Sequence, residues 1–220
     1  MIDGLSQELN ESTRLAIASA RAEHGAQFAA LLALDARLGK LVGGASEPML
    51  GQMRLAWWRD QLAADPMSRP RGDAVLDSLS DVYWQSGQVL VGLVDGWEQF
   101  LIGGEDAAKS ISALANGRAG AFCTLGEIIG TRSAQNAVRN SAHLWSHVDV
   151  ALHASDAEDR VQALKMAGSI REEKAALDRD MRPLAVLRGL AVRVLDKDLT
   201  QMMGDRFSPL AALRLGIFGR

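Results

Sequence analysis

Apolar residues recur at steps of three and four along most of the chain, which is the spacing of amphipathic α-helices. The segment 25–42 shows this rhythm at Phe28, Leu31, Leu32, Asp35 and Leu38. No stretch shows the sustained alternation of apolar and polar residues that is typical of β-strands. Proline is also scarce, with five residues in 220. The pattern therefore predicts an all-α fold.

Glycine and proline indicate where predicted helices end and begin. Gly43-Gly44 ends the second helix, because paired glycines favour left-handed backbone. Ser46-Glu47-Pro48 begins the third, with serine at the N-cap and proline near the first position. Residues 65–73 hold two prolines and one glycine and form the clearest loop. The predicted helices cover about 11–23, 25–42, 49–62, 73–86, 88–102, 105–129, 132–154, 156–178, 182–197 and 207–218.

Composition and charge fit one soluble domain that spans 1–220. Hydrophobic residues make up 48% of the chain and charged residues 23%, and the net charge of −3 gives no whole-protein field that would attract nucleic acid or an anionic membrane. Acidic residues at 156–159 and 172–180 alternate with Arg or Lys, which predicts solvated helix faces with intrahelical ion pairs. No signal peptide and no stretch long enough to span a bilayer is visible. We expect a cytoplasmic protein.

Few residues suggest metal or thiol chemistry. His143 and His147 lie one helical turn apart, as do Asp149 and His153, so each pair could offer two donors to a metal ion. The pairs do not share a face, because the two residues from His147 to Asp149 turn the helix by about 200°. We therefore predict no metal site and place the histidines at the surface or between helices. Cys123 lies in an apolar run and is predicted to be a small buried hydrophobe.

Trp57 and Trp58, set between Arg54 and Asp60, form the most unusual local feature. On a helix, Trp58 shares a face with Leu55 one turn before it. In one interpretation both indoles anchor a core, and Arg54 pairs with a buried acid or a helix end. In the other they line a pocket with polar groups at its edge. Composition leaves both open.

Several stretches resemble the squalene/phytoene synthase family. Residues 30–37, Ser-Glu-Pro-Met-Leu-Gly at 46–51 and Arg-Leu-Ala-Trp-Trp-Arg-Asp at 54–60 look like the front third of its short bacterial branch. Residues 144–151 resemble the second core helix of that branch. Its C-terminal part is similar to two further stretches, Arg-Pro-Leu-Ala-Val-Leu at 182–187 and Ser-Pro-Leu at 208–210. The resemblance covers most of the chain and is most specific at 46–60.

The resemblance implies an isoprenoid-synthase-like bundle of antiparallel helices around a central cavity. It also implies head-to-head condensation of two prenyl diphosphates. In the family, aspartates on two facing helices hold magnesium ions that bind the diphosphates. This requirement is chemical, because hard divalent cations prefer carboxylate oxygens and stabilise the leaving pyrophosphate.

Those aspartates are missing from this sequence. Alignment places the first pair at about Gly39 and Gly43, with Lys40 between them, and the second near His153 and Ala157. Glycine offers no side-chain ligand to magnesium, and lysine repels it. A site without these carboxylates loses most of the electrostatic stabilisation that the reaction requires. No catalytic residue, metal or cofactor is predicted.

The favoured interpretation is a pseudoenzyme: a squalene/phytoene synthase-like protein that acts as a non-catalytic binding or assembly protein. A mitochondrial complex I assembly factor of the same superfamily is a precedent. Two alternatives stay open, namely a prenyltransferase-type enzyme that uses magnesium at a non-standard site, and an unrelated helical interaction module. The partner is an isoprenoid or lipid ligand or another protein. The candidate pocket-lining residues are Arg54, Trp57, Trp58, Asp60, Trp145, Asp149 and His153.

Overall fold

The computed structural model describes residues 2–82, 87–104, 106–173 and 176–218. Within these ranges the protein is all-helical and contains no β-strand, which confirms the predicted fold class. The α-helices are α1 (Glu11–Ala18), α2 (Gly25–Gly43), α3 (Pro48–Ala63), α4 (Ala74–Asp81), α5 (Val91–Ile102), α6 (Ala107–Ile128), α7 (Gln135–His153), α8 (Ala157–Ile170), α9 (Arg182–Lys197) and α10 (Ser208–Phe218). Short 3-10 helices occupy Ile2–Leu5, Pro66–Ser68 and Gly87–Leu90. None of the helices in these ranges combines the length and the apolar character that a membrane span requires.

Most helix bounds lie within a few residues of the prediction, and α9 has the predicted bounds. The predicted helix 11–23 is too long, because α1 ends at Ala18. The Ser19 hydroxyl and backbone N–H both donate to the Ala16 carbonyl, which closes the last turn. The predicted helix 73–86 is also too long, since α4 ends at Asp81; its last residues, 83–86, lie outside the described ranges.

The predicted helix 156–178 is wrong over its last turns, because α8 ends at Ile170. Asp178 is not on a helix. Its carboxylate accepts hydrogen bonds from the Thr131 hydroxyl and the Arg132 backbone N–H, both at 2.7 Å. The acidic residues of this region therefore do not form one solvated helix face. Asp178 instead fixes the loop between α6 and α7.

The acidic residues at 156–159 have a structural task at the other end of α8. The Asp156 carboxylate accepts from the backbone N–H groups of Glu158 and Asp159, so it is the N-cap of α8. Glu158 and Asp159 lie in the first turn, where negative charge is favoured by the helix dipole. These acids stabilise the start of the helix rather than form a row of intrahelical ion pairs.

Two helices, α6 and α7, form the centre of the bundle. α6 packs between α5 and α7, and α7 also packs against α8 and α9. α3 packs mainly against α5, while α9 supports α1 and α10 at the other side. A continuous apolar core runs through these helices, and its largest fully buried side chains include Phe28 on α2 and Phe122 on α6. Side chains of α2, α5, α6 and α7 therefore converge on one interior region.

Two glycines bring the backbones of α5 and α6 into direct contact. A Cβ at Gly117 would lie 2.5 Å from the Gly92 carbonyl oxygen, and a Cβ at Gly96 would lie 2.9 Å from the Ala113 carbonyl oxygen. The residues that follow these glycines are Arg118 and Trp97. The close approach therefore brings a guanidinium and an indole together in the interior.

The contrast between two glycines of α6 yields a prediction. Gly117→Ala forces the backbones of α5 and α6 apart, and we expect the free energy of unfolding to fall by about 1–3 kcal/mol. Gly120→Ala is the matched control, because a Cβ there would meet no described atom within 4 Å. It should be neutral or stabilise the fold by up to about 1 kcal/mol through helix propensity. Urea unfolding measures both, and equal effects would contradict the proposed close approach.

Candidate functional site

The most distinctive cluster in the molecule surrounds Arg118, which is only 3% exposed. Its Nε donates to Asp35 Oδ1 at 2.9 Å, and one terminal nitrogen lies 2.9 Å from both Asp35 Oδ2 and Asp149 Oδ2. The other terminal nitrogen donates to the Ser146 hydroxyl at 3.3 Å. One guanidinium thus joins α2, α6 and α7 through charge-assisted hydrogen bonds.

Two indole rings enclose this guanidinium. The Arg118 Cζ lies 5.0 Å from the centre of the Trp97 ring and 4.6 Å from that of Trp145, within the range of cation–π attraction. The Trp97 Nε1–H also donates to Asp35 Oδ1 at 2.8 Å. Trp145 packs edge-on against Phe122, with ring centres 5.8 Å apart. The rings exclude water from the ion pairs, and Trp97 fixes the orientation of Asp35.

The local sequence explains why these polar groups point inward. Asp35 shares the apolar stripe of α2, and Arg118 lies one turn after Leu114 and one turn before Phe122 on α6. Gly39 supplies the space for the indole of α5, because a Cβ at this position would lie 3.0 Å from Cη2 of Trp97. The pairing of helix stripes therefore assembles the cluster.

Electrostatic attraction keeps the cluster ionised. Burial disfavours the charges, but the attraction of Asp35 and Asp149 outweighs it and raises the pKa of Arg118. Burial likewise opposes ionisation of Asp149, yet the Arg118 charge and a hydrogen bond from His153 lower the pKa of Asp149 to about 2. The hydrogen bond and charge of Asp149 raise the pKa of His153 to about 9. Arg118, Asp149 and His153 are therefore charged at neutral pH.

A modest pH effect should follow from His153. Its raised pKa means that the folded state holds this proton more tightly than the unfolded state, whose histidine pKa is about 6.5. The stabilisation is therefore complete below about pH 6.5 and is lost as the pH rises through about 9. The His153 side chain is 69% exposed, so water screens the pair and limits its contribution to less than about 1 kcal/mol.

The variant His153→Gln tests this contribution by urea unfolding over a range of pH. We expect it to be less stable than the wild type at low pH and equally stable above about pH 9. A stability difference that does not change with pH would contradict the ion pair with Asp149.

All four carboxylate oxygens of the cluster have partners. Both oxygens of Asp35 accept from Arg118 and one also accepts from Trp97. One oxygen of Asp149 lies against Arg118, and the other lies 3.4 Å from His153 Nδ1. A divalent cation could bind these carboxylates only by displacing the Arg118 guanidinium or the His153 side chain. The arrangement therefore favours a structural ion-pair network over a metal centre.

A second group with metal-ligand residue types lies at the surface. Within the described ranges, one group of three potential metal ligands has its ligand atoms within 4.8 Å of one another, and it consists of Glu23, His24 and Asp180. Arg21 is 2.8 Å from Glu23 and 3.2 Å from Asp180. The guanidinium of Arg21 already supplies the positive charge that a metal ion would bring to this group.

The structure brings together the predicted candidates of α7. All three candidates of this helix belong to the Arg118 cluster. The Trp145 ring faces the guanidinium, Asp149 forms an ion pair with it, and His153 contacts Asp149. The three residues follow one another at one-turn spacing on α7. They contribute one wall of the buried network.

The candidates of α3 lie elsewhere. Trp58 is buried with Leu55 on the inner stripe of α3, as the helical pattern predicts, and the guanidinium of Arg37 lies 6.0 Å from the centre of its ring. Trp57 packs edge-on against Trp58 but is 42% exposed. Arg54 and Asp60 are exposed. None of these residues has a described contact with the Arg118 cluster.

The remaining histidines and the cysteine agree with the sequence interpretation. His143 Nε2 lies 3.1 Å from Asn116 Oδ1 on α6, and the His143 ring stacks on that of His147. Burial, with repulsion from His143 and Arg118, lowers the pKa of His147 to about 4, so it is neutral at physiological pH. Cys123 is buried, and burial raises the pKa of its thiol.

Sequence analysis missed Arg118, Asp35 and Trp97 as members of one site. The sequence does show a charged residue inside an apolar stripe on each helix. Asp35 lies one turn after Leu31 on α2, and Arg118 lies one turn after Leu114 on α6. A buried charge requires a partner of opposite charge. Periodicity shows that each charge is buried but does not show that the two meet.

A comparison of the chain with protein-family models, with curated proteins and with solved structures found no match. The resemblance to squalene/phytoene synthases thus stays a prediction from the residues at 46–60 and the looser stretches around them.

Proposed function

We propose that this chain is a squalene/phytoene synthase-like helical bundle that has lost magnesium-dependent condensation of prenyl diphosphates. In this proposal it acts as a non-catalytic binding or assembly protein. The observation that carries the proposal is the buried Arg118, whose guanidinium engages Asp35 and Asp149 between two indole rings. A synthase needs free carboxylates that can receive magnesium and diphosphate, whereas these two carboxylates are already neutralised.

The space around Gly39 supports the same conclusion. Alignment with the family places the first magnesium-binding aspartate at this position. The indole of Trp97 fills the volume that such a side chain would need, because a Cβ at Gly39 would lie 3.0 and 3.1 Å from two of its ring carbons. The change from aspartate to glycine is therefore matched by a bulky neighbour, and restoring the carboxylate alone would disturb the packing.

The outer face of α3 supports a binding role. Met49, Leu50, Met53 and Trp57 are between 42% and 69% exposed, and three of them repeat at four-residue steps along one face. Methionine adapts to different partner shapes, and tryptophan often provides much of the affinity at an interface. Exposed apolar side chains grouped in this way are typical of a protein-interaction surface.

The experiment that tests the loss of catalysis is an assay of pyrophosphate release from farnesyl diphosphate. We expect the purified chain to release none beyond the protein-free background, with or without magnesium. Asp149→Asn is the matched variant and should behave as the wild type. Magnesium-dependent release that Asp149→Asn abolishes would overturn the proposal and favour a prenyltransferase with a non-standard site.

A further inference from the structure

The last described helix, α10, is apolar on opposite sides. Ala212 and Leu215 are buried against the bundle. Phe207, just before the helix, and Leu210, Leu213 and Ile217 on its outer side are between 49% and 62% exposed. A helix that is apolar all round belongs in an interior. These four outward side chains, here called the α10 stripe, thus form a surface that requires a covering partner.

Contacts with α9 hold this helix in place. The carboxylate of Asp205, just before α10, accepts from Arg193 at 2.9 and 3.0 Å and from Lys197 at 3.1 Å. The Ser208 hydroxyl, at the first residue of α10, donates to the same carboxylate at 2.7 Å. Further along, Leu215 packs onto Gly189, where a Cβ would lie 2.4 Å from its Cδ1. The outward direction of the α10 stripe is therefore set by the fold.

The surroundings of the α10 stripe are cationic, although the whole chain is acidic. Arg206 and Arg214 are exposed beside the stripe, and neither forms an ion pair with a described residue. The Arg206 guanidinium lies 4.9 Å from the centre of the Phe207 ring. The nearby acid Asp205 is already paired with two basic side chains. The charge next to the apolar surface is thus positive and uncompensated.

A groove of about 680 Å³ between α9 and α10 extends this character. Leu210 and Arg214 line it from α10, and Val192 and Arg188 line it from α9. Arg188 donates only to backbone carbonyl oxygens among the described residues, at 2.7 and 3.3 Å. Asp196 and Arg193 also line the groove, but Asp196 pairs with Arg171 and Arg193 pairs with Asp205. Arg188 and Arg214 therefore line the groove without a carboxylate partner among the described residues.

We propose that the α10 stripe docks on a bilayer that contains anionic phospholipid. Phe207, Leu210, Leu213 and Ile217 would enter the boundary between headgroups and acyl chains, while Arg206 and Arg214 contact lipid phosphates. A second copy of the chain fits this surface poorly, because pairing two α10 stripes would bring arginines toward arginines. The proposal is independent of the proposed loss of catalysis.

Vesicle co-sedimentation of the full chain tests the proposal. The probes are vesicles of phosphatidylcholine alone and vesicles that contain equal parts of phosphatidylcholine and phosphatidylglycerol. We expect binding to the mixed vesicles only, and weaker binding as the salt concentration rises. Leu210→Gln with Leu213→Gln should weaken binding at least about tenfold, and Arg206→Gln with Arg214→Gln about 20- to 30-fold.

Met67→Gln with Val161→Gln is the matched control, because it removes two exposed apolar side chains that lie outside both α3 and α10. It should bind vesicles as the wild type does, and circular dichroism checks that each variant is folded. Absence of binding to the mixed vesicles would overturn the proposal. So would an equal loss of vesicle binding in the control variant and the α10 leucine variant, or a stable dimer in sedimentation that the α10 leucine variant dissociates.

Discussion

Arg118→Met should lower the free energy of unfolding by about 3–5 kcal/mol. The substitution preserves much of the side-chain volume but leaves Asp35 and Asp149 charged in the interior without their cation. The cost of an uncompensated buried charge exceeds that of a lost surface ion pair, which is about 1 kcal/mol or less. Urea unfolding at neutral pH, followed by tryptophan fluorescence, should show a lower midpoint with little change in slope.

Two further variants separate charge from packing at Arg118. Arg118→Lys keeps the charge but loses the planar fork that engages both carboxylates, so an intermediate loss is expected. Arg118→Met combined with Asp35→Asn and Asp149→Asn removes the cation and both charges together, and should recover much of the stability that Arg118→Met loses. A wild-type-like stability of Arg118→Met alone would show that the cluster contributes little to the fold.

Gly39→Asp should destabilise the protein by about 2–3 kcal/mol, although it restores a residue that the synthase resemblance would place there. The new side chain collides with the Trp97 indole and adds a negative charge one turn after Asp35. Gly43→Asp is the matched control, because the resemblance places the second aspartate of the same pair at Gly43. A Cβ at Gly43 would meet no described atom within 4 Å, and we expect a change of less than about 0.5 kcal/mol.

Thermal unfolding with and without magnesium extends this comparison. Neither Gly39→Asp nor the double variant with Gly43→Asp should gain stability from magnesium, because Arg118 still occupies the carboxylates of the interior. A magnesium-dependent rise in the unfolding temperature of the double variant would mean that the site needs only its missing acids. That result would argue against the filled interior as the reason for the proposed loss of catalysis.

Local signals in the sequence account for most helices and for some of their ends. α9 begins at Arg182-Pro183 and has its predicted bounds, because proline at the first positions is a strong start signal. The end of α8 at Ile170 carries no such signal. Asp178, which the prediction placed on the same helix, instead bonds to Thr131 at a separation of 47 residues. Hydrogen bonds between residues so far apart in the sequence are not visible in local periodicity.

The same distinction applies to the candidate site. Asp149 and His153 are visible in the sequence as a pair one turn apart, and Trp145 lies in the stretch 144–151 that resembles a core helix of the synthase family. Arg118 and Asp35 are 83 residues apart in the sequence, and only the packing of α2 on α6 brings them together. The α3 candidates were selected for their unusual local composition, which does not show that Trp57 faces outward while Trp58 faces the core.

The indole N–H resonance of Trp97 offers the most direct test of a filled and neutralised interior. This group donates to Asp35 beside Arg118, so any magnesium or diphosphate that enters the cluster must change its chemical shift, and Trp97→Phe assigns the signal. We predict no saturable change when farnesyl diphosphate and magnesium are titrated together. A saturable, magnesium-dependent shift, with stabilisation approaching about 2.7 kcal/mol at about 100 times Kd, would contradict the account.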